Sequence, residues 1–169
     1  MPEKETVERA RQDEREGKSP TTQAGEFVRE EMHHIREGKH GARSTKQAIA
    51  IGLSKARRSG VKLGAPKKGK ASAQTRQKAQ RDLRKGKSAG KKKISARRSR
   101  ATSKALKREG RQAASKKNLA RQARTAARTR GPVARHRAAL KAVGTKGKTG
   151  LKRAAQKAAR TRASNRRAA

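Results

Sequence analysis

Residues 38–63, GKHGARSTKQAIAIGLSKARRSGVKL, constrain the fold more than any other stretch of the chain. Ser44 is followed three residues later by Gln47, which fits a capping box, where each side chain satisfies a backbone donor at a helix N-terminus. An apolar stripe then recurs at helical spacing: Ala48, Ile49, Gly52, Leu53 and Ala56. Gly60 stands where a left-handed residue ends a helix, and Val61 is placed to pack back on the last turn.

A second amphipathic helix precedes this one. Ser19 and Pro20 are suited to the N-cap and the first helical position, and Gly38 is suited to the end. The residues between them form one apolar face: Ala24, Phe27, Val28, Met32 and Ile35. Because the link of residues 38–43 is short and rich in Gly, the two helices are predicted to pair as a helical hairpin. Ile51 lies off the stripe of the second helix, which predicts that this helix is covered on more than one side.

Large apolar residues are too scarce for a domain of ordinary size. Leu, Ile, Val and Phe total 17 of 169 residues, and so low a share combined with high net charge is typical of disorder. We therefore expect at most one small helical module of about 45 residues. Residues 1–18 are predicted to form a charged helix that ends at Gly17, with Val7 as its only large apolar residue.

Residues 64–169 form a tail of low complexity. From residue 65 onward there are 37 Lys or Arg and two acids. The eight large apolar residues are predicted to be too sparse for a core: Leu83, Ile94, Leu106, Leu119, Val133, Leu140, Val143 and Leu151. Helix propensity is high in five segments, at residues 74–85, 97–109, 111–130, 133–143 and 151–162. Like charges four residues apart oppose these helices in the free chain.

The predicted fold class is therefore all-α. We expect a charged N-terminal helix (1–18), a helical hairpin (19–63) and a long, mostly disordered or conditionally helical basic tail (64–169). Phosphate groups would remove the repulsion between the tail's cations, so the tail is expected to gain helix when it binds a polyanion.

Charge is strongly segregated along the chain. Residues 3–37 contain ten acids and seven bases, a net charge of −3, whereas residues 38–169 contain 44 bases and two acids, a net charge of +42. This asymmetry indicates a polyanionic partner. Phosphate contacts release counterions, so affinity for duplex DNA should fall with salt, with a slope of about −0.9 per contact. Such contacts carry little sequence information, and the tail has no aromatic residues on which single-strand readers stack bases.

The candidate nucleic-acid-binding residues lie in the basic runs of the tail. Residues 91–100 alone hold six cations in ten positions. The full set is Lys67, Lys68, Lys70, Lys91, Lys92, Lys93, Arg97, Arg98, Arg100, Lys116, Lys117, Arg128, Arg130, Lys152, Arg153, Arg160 and Arg162.

Other chemistries find little support. The chain has no Cys, which excludes disulfides and thiolate sites. Glu30 and His33 match a Glu-x-x-His spacing, but carboxylate metal sites use this motif twice, and His40 and His136 have no carboxylate at a useful spacing. No metal, no cofactor and no catalytic residues are predicted, and an enzyme is not expected. Residues 144–149 end in Gly-Lys-Thr but lack the first Gly of a phosphate-binding loop.

Targeting signals are also not evident. The N-terminus lacks the apolar region of a secretory signal, and no apolar run approaches the length that spans a bilayer. We expect a cytoplasmic protein located at the nucleoid, with no membrane partner.

Residues 22–63 resemble an uncharacterised family of small basic bacterial proteins, a domain of unknown function. The resemblance rests on the KQAIAI helix at residues 46–51, followed by Ser54-x-Ala56-Arg57. It brings no known activity. The tail resembles those of linker histones and of some histone-like bacterial nucleoid proteins, a resemblance that implies neutralisation, bridging and compaction of DNA.

The sequence favours non-sequence-specific DNA binding and compaction by a nucleoid-associated, histone-like protein. One alternative is an RNA-associated or ribosome-associated protein, because small ribosomal proteins share this composition. Another is a stress-related structural protein that binds polyanions. The hairpin is a candidate surface for self-association or for a protein partner, because its apolar faces exceed what a lone hairpin can bury. The acidic N-terminus is a candidate competitor of DNA for the tail.

Overall fold

Six α-helices and one turn of 3-10 helix make up the computed structural model, which describes residues 2–88 and 95–167. The helices are α1 (Lys4–Arg15), α2 (Pro20–Arg36), α3 (Thr45–Arg58), α4 (Ala73–Lys87), α5 (Ala96–Lys107) and α6 (Lys116–Arg167), with the 3-10 turn at Arg111–Ala114. None of the described residues forms a strand, which confirms the all-α class. The chain divides into two compact units, Met1–Gln122 and Ala123–Ala169.

The predicted hairpin is present in the first unit. Helices α2 and α3 pack against each other, and Gly38 and Gly60 adopt φ values of 79° and 98°, as expected of residues that end helices. The Ser44 hydroxyl accepts the Gln47 N–H at 3.2 Å. The capping box is not fully reciprocal, because the Gln47 side chain accepts the N–H of Arg43 at 2.8 Å and not that of Ser44.

Two small apolar clusters lie on the hairpin. One joins Phe27 of α2 to Ala56 of α3 and is flanked by Leu53 and Val61, so the predicted packing of Val61 is confirmed. The other contains Met32 and Ile35 of α2 with Ala42 and Ala48. The stripe and face predicted for α3 and α2 are therefore the buried ones, with Ile49, Leu53 and Val28 half-buried at their margins.

Helix α1 packs on α2. Thr6 and Ala10 are buried, and Ala10 joins the Phe27 cluster with Val7 beside it. Arg9 donates to Glu26 at 2.8 Å. The chain turns at Gly17 with a φ of 70°, so the helix predicted for residues 1–18 forms at Lys4–Arg15.

Helix α4 covers a second side of α3, as the off-stripe position of Ile51 predicted. Ala79 is buried, and the Ser54 hydroxyl donates to Asp82 at 2.7 Å. The tail therefore packs against the hairpin from its first helix onward. The division of the chain into three domains stays a prediction.

Residues 106–119 extend the core, contrary to the expectation that apolar residues of the tail are too sparse. Ala113 and Ala114 are buried in the Met32 cluster, and Leu119 packs against it. The backbone fits closely here: Gly41 donates its N–H to Leu106 at 2.9 Å, and the Thr45 hydroxyl donates to Ala113 at 2.7 Å. Small side chains allow this approach, so alanines supply burial that a count of large residues does not reveal.

The tail was expected to be mostly disordered or conditionally helical, and the disordered half of that expectation is wrong for the described residues, which are largely helical. α4, α5 and α6 include most of the five predicted segments, although residues 111–114 form a 3-10 turn. Within α6 only Gly131 and Gly147 leave helical geometry, with φ values of 74° and 62°, whereas Gly144 and Gly150 remain helical. The physical reason is that helix propensity, summed over many Ala, Arg, Lys and Gln residues, outweighs the repulsion between cations.

Among the helices of residues 2–88 and 95–167, none is both long enough and apolar enough to cross a bilayer.

Candidate nucleic-acid interface

The predicted binding residues that the structure describes are all exposed. Lys67, Lys68 and Lys70 lie in the link between α3 and α4, and Arg97, Arg98 and Arg100 lie in the first turns of α5. The remaining exposed residues lie on α6: Lys116, Lys117, Arg128, Arg130, Lys152, Arg153, Arg160 and Arg162. Lys91, Lys92 and Lys93 lie outside the described residues.

Helix α6 is cationic along its whole length. It contains 18 Lys or Arg and no Asp or Glu, and none of its described side chains is buried. Such a helix can present ammonium and guanidinium groups to phosphates without removing any of them from a packed core.

Helical spacing groups these cations into rows that the sequence prediction had missed. In the second unit, Arg153, Lys157 and Arg160 follow the i, i+4, i+7 spacing of one face. Arg124 and Arg128, four residues apart, form a similar pair. Lys157 and Arg124 were not predicted because they stand outside the densest basic runs. Their signal is the 3.6-residue period, which can be applied only once the helix is known.

Most acids of the described residues contact basic side chains that lie outside α5 and α6. Among the described residues, eleven contacts between a Lys or Arg and a carboxylate join residues within 3–82, and three further contacts join a His to a carboxylate. Asp13 and Glu16 are one example. Both accept a hydrogen bond from the Lys18 ammonium, and these hydrogen bonds raise the pKa of Lys18. The fourteen described candidate cations therefore have no carboxylate partner, and their charge is available to a polyanion.

Two cations of α3 belong to the packing and not to this surface. Arg57 is buried and donates to the carbonyl oxygen of Leu63 at 3.2 Å; burial lowers its pKa, although Asp82 opposes that shift. Lys55 lies 2.7 Å from Glu31 and 3.2 Å from Glu30. Burial lowers the pKa of Lys55, but the two carboxylates outweigh burial and raise it overall.

A polar cluster beside Lys55 was not predicted. Glu31, His34 and His40 bring possible ligand atoms within 4.8 Å of one another, and the two imidazole rings meet edge to face at 6.0 Å. The Glu-x-x-His pair in this cluster is Glu31 and His34. The pair noted in the sequence, Glu30 and His33, lies one residue earlier, and His33 is exposed. His40 does have a carboxylate neighbour, because its Nε2 lies 3.3 Å from Glu31 Oε1, which corrects the expectation from spacing.

In the comparison with known proteins, a family model matches part of the chain. Residues 16–69 match the model of a family of unknown function, DUF6496. The match covers α2, α3 and most of the link that follows, and it includes all the residues that carry the resemblance to an uncharacterised family. No curated protein and no solved structure matches the chain.

Proposed function

We propose that the protein binds duplex DNA without sequence preference and compacts it, in the manner of a nucleoid-associated, histone-like protein. The observation that carries this proposal is α6, which has 18 cations and no acid. Free energy of binding would come from counterion release as these cations meet phosphates.

The structure of the tail supports a phosphate-directed contact more than a base-directed one. Exposed Lys and Arg are distributed along helices α5 and α6, and residues 65–169 contain no Phe, Tyr or Trp side chain to stack on a base. Contacts of this kind fix position on the backbone and carry little sequence information.

Structured RNA is the alternative ligand, because its phosphates offer the same charge. Competition between duplex DNA and a structured RNA of equal length distinguishes the two at fixed salt. Preference for DNA supports the proposal, and preference for RNA favours an RNA-associated or ribosome-associated role.

The decisive experiment is a salt titration of DNA affinity for the full chain and for a variant with five α6 cations neutralised. The substitutions are Arg128→Gln, Arg130→Gln, Lys152→Gln, Arg153→Gln and Arg160→Gln, which keep helix propensity. If all five residues contact phosphates, the slope of log K against log salt should decrease in magnitude by about 4–5.

A matched control removes five exposed cations of the first unit that form no salt bridge with any acid: Lys4, Arg11, Arg15, Arg43 and Lys46, each changed to Gln. This control has the same net charge as the α6 variant and should keep the slope of the unmodified chain. Equal losses in the two variants would show that total charge, and not α6, determines binding.

A further inference from the structure

Three metal-ligating side chains converge where the end of α2 meets the loop before α3. Glu31 and His34 lie on the last turns of α2, and His40 lies in the loop. We propose that Glu31, His34 and His40 bind a zinc ion, which ties this corner of the fold together.

The hydrogen bonds of the two histidines orient them as ligands. His34 Nε2 lies 2.8 Å from Glu3 Oε1, and His40 Nδ1 lies 3.1 Å from the carbonyl oxygen of Gly41. Since both partners are acceptors, each of these nitrogens carries its hydrogen, and a neutral imidazole then has its lone pair on the other nitrogen. Metal-binding histidines are oriented in this way, by a carboxylate or a backbone carbonyl.

Glu31 supplies a buried anionic ligand. Its side chain is fully buried, and Oε1 receives no hydrogen bond within the described part of the chain. One oxygen, Oε2, has the Lys55 ammonium 2.7 Å away, whereas Oε1 faces His40 Nε2 at 3.3 Å. A lone pair on Nε2 that faces a carboxylate oxygen is repelled unless a cation lies between them.

The distances suit a zinc ion. Bonds of about 2.0–2.1 Å in tetrahedral geometry place two ligand atoms about 3.3–3.4 Å apart, which agrees with the 3.3 Å between His40 Nε2 and Glu31 Oε1. The His34 ligand atom lies within 4.8 Å of the other two, so its side chain would have to move closer to complete the set. Of the three ligands, His34 borders a cleft of about 310 Å³ that Glu3 and Glu30 also line.

The ligand types favour zinc over harder cations. Two imidazole nitrogens and one carboxylate oxygen form a ligand set that zinc accepts, whereas Mg²⁺ and Ca²⁺ prefer oxygen ligands throughout. The three ligands join α2 to the loop before α3. Glu3, the residue before α1, contacts His34. The ion would therefore stabilise the first unit.

The test is zinc binding by the full chain, purified without a histidine tag and free of nucleic acid. Competition with a chromophoric zinc chelator should give one site per chain. His34→Ala and His40→Ala should each lose that site, and Glu3→Gln, which leaves the core untouched, should weaken it by about 10–100-fold. Zinc should also raise the Tm of the unmodified chain, since the ion binds the folded state.

His33→Ala is the matched control, because His33 is exposed and adjacent to His34. It should retain the site with unchanged affinity. Circular dichroism without metal verifies that each variant is folded, and Co²⁺ absorbance reports the coordination directly. The proposal is overturned if folded His34→Ala and His40→Ala bind zinc as the unmodified chain does, or if the unmodified chain shows no saturable site.

Discussion

Gly52 sets how closely α2 and α3 approach. A Cβ atom built at this position would lie 2.7 Å from the Cα of Val28 and 3.0 Å from the carbonyl oxygen of Phe27. Both contacts are with backbone, which cannot rotate away as a side chain would. Gly52→Ala should therefore lower the free energy of unfolding by about 1–3 kcal/mol, measured by chemical denaturation of the full chain.

Gly25→Ala is the control for that prediction. Gly25 is also helical, but a Cβ atom there meets nothing within 4 Å. Because Ala is a better helix former than Gly, this variant should be unchanged or more stable, by up to about 1 kcal/mol. Equal destabilisation by the two substitutions would contradict the close approach at Gly52.

Lys55 neutralises two buried carboxylates. Its ammonium lies within 3.2 Å of Glu30 and 2.7 Å of Glu31, whose side chains are 1% and 0% exposed. Lys55→Met would leave both charges without this partner, and removal of one partner from a buried ion pair costs about 3–5 kcal/mol. Thermal unfolding should show a correspondingly large decrease in Tm.

The exposed pair between Lys62 and Glu14, at 3.3 Å, provides the comparison. Lys62→Met should cost less than about 1 kcal/mol, because surface ion pairs are solvated and contribute little. A similar loss of stability in both variants would mean that burial does not increase the contribution of the Lys55 ion pairs to stability.

At the scale of single residues, the sequence located the exposed cations of the tail but not the contacts of the hairpin. Every described candidate cation is exposed. By contrast, both Glu30 and Glu31 lie next to apolar-face positions of α2 in the sequence. Only the packing of the folded chain shows that Glu31 and His34 come close to His40. Spacing along a helix predicts which side chains of that helix are neighbours. It does not predict which of them the loop after α2 brings into contact with His40.

At the scale of elements, helix α6 provides a direct test of the free chain. The six α-helices contain 122 of the 169 residues. Far-ultraviolet circular dichroism without nucleic acid should therefore indicate about 70% helix. Added salt should preserve or raise this value, since it screens the like charges that oppose helix.

Duplex DNA should then leave the helix content nearly unchanged. A spectrum that gains helix only when DNA is added would contradict a tail that is helical on its own and would restore coupled folding and binding. DNA absorbs and has its own dichroism, so the signal at 222 nm must be corrected with DNA alone.

Elements with strong local signals were predicted, and elements defined by distant contacts were not. Ser44, Gly38 and Gly60 mark the ends of α2 and α3 in sequence alone. Nothing local distinguishes Ala113 and Ala114 from the other alanines of the tail, although the turn that contains them packs beside Met32 and Ile35. Such burial depends on a partner about 80 residues earlier in the chain.

At the scale of the whole molecule, most acids and most tail cations lie in different parts of the sequence. Ten of the twelve acids lie in residues 3–37, their contacts with Lys or Arg lie within residues 3–62, and exposed charges farther apart than about 8 Å are screened at physiological salt. Changing Glu5, Glu8 and Glu14 to Gln raises the net charge to +42 from +39. DNA affinity at about 0.15 M salt should nevertheless change by less than about threefold.

Arg128→Gln, Arg130→Gln and Lys152→Gln, made together, are the comparison of equal size and opposite sign. They should reduce the magnitude of the salt slope by about 2–3. A tenfold or greater gain of affinity in the acid-to-Gln variant would instead establish that the acidic N-terminus competes with DNA for the tail.

The two non-helical glycines of α6 limit how far any straight stretch of helix can run. Residues 132–146 and 148–167 would measure about 22 Å and 30 Å at the helical rise of 1.5 Å per residue. A long straight helix touches a curved duplex over only a short distance. Shorter helices can each lie along a different part of the curve, because the chain changes direction between them. On the proposed function, Gly131 and Gly147 would divide the basic helix into lengths that can follow the path of a bent duplex.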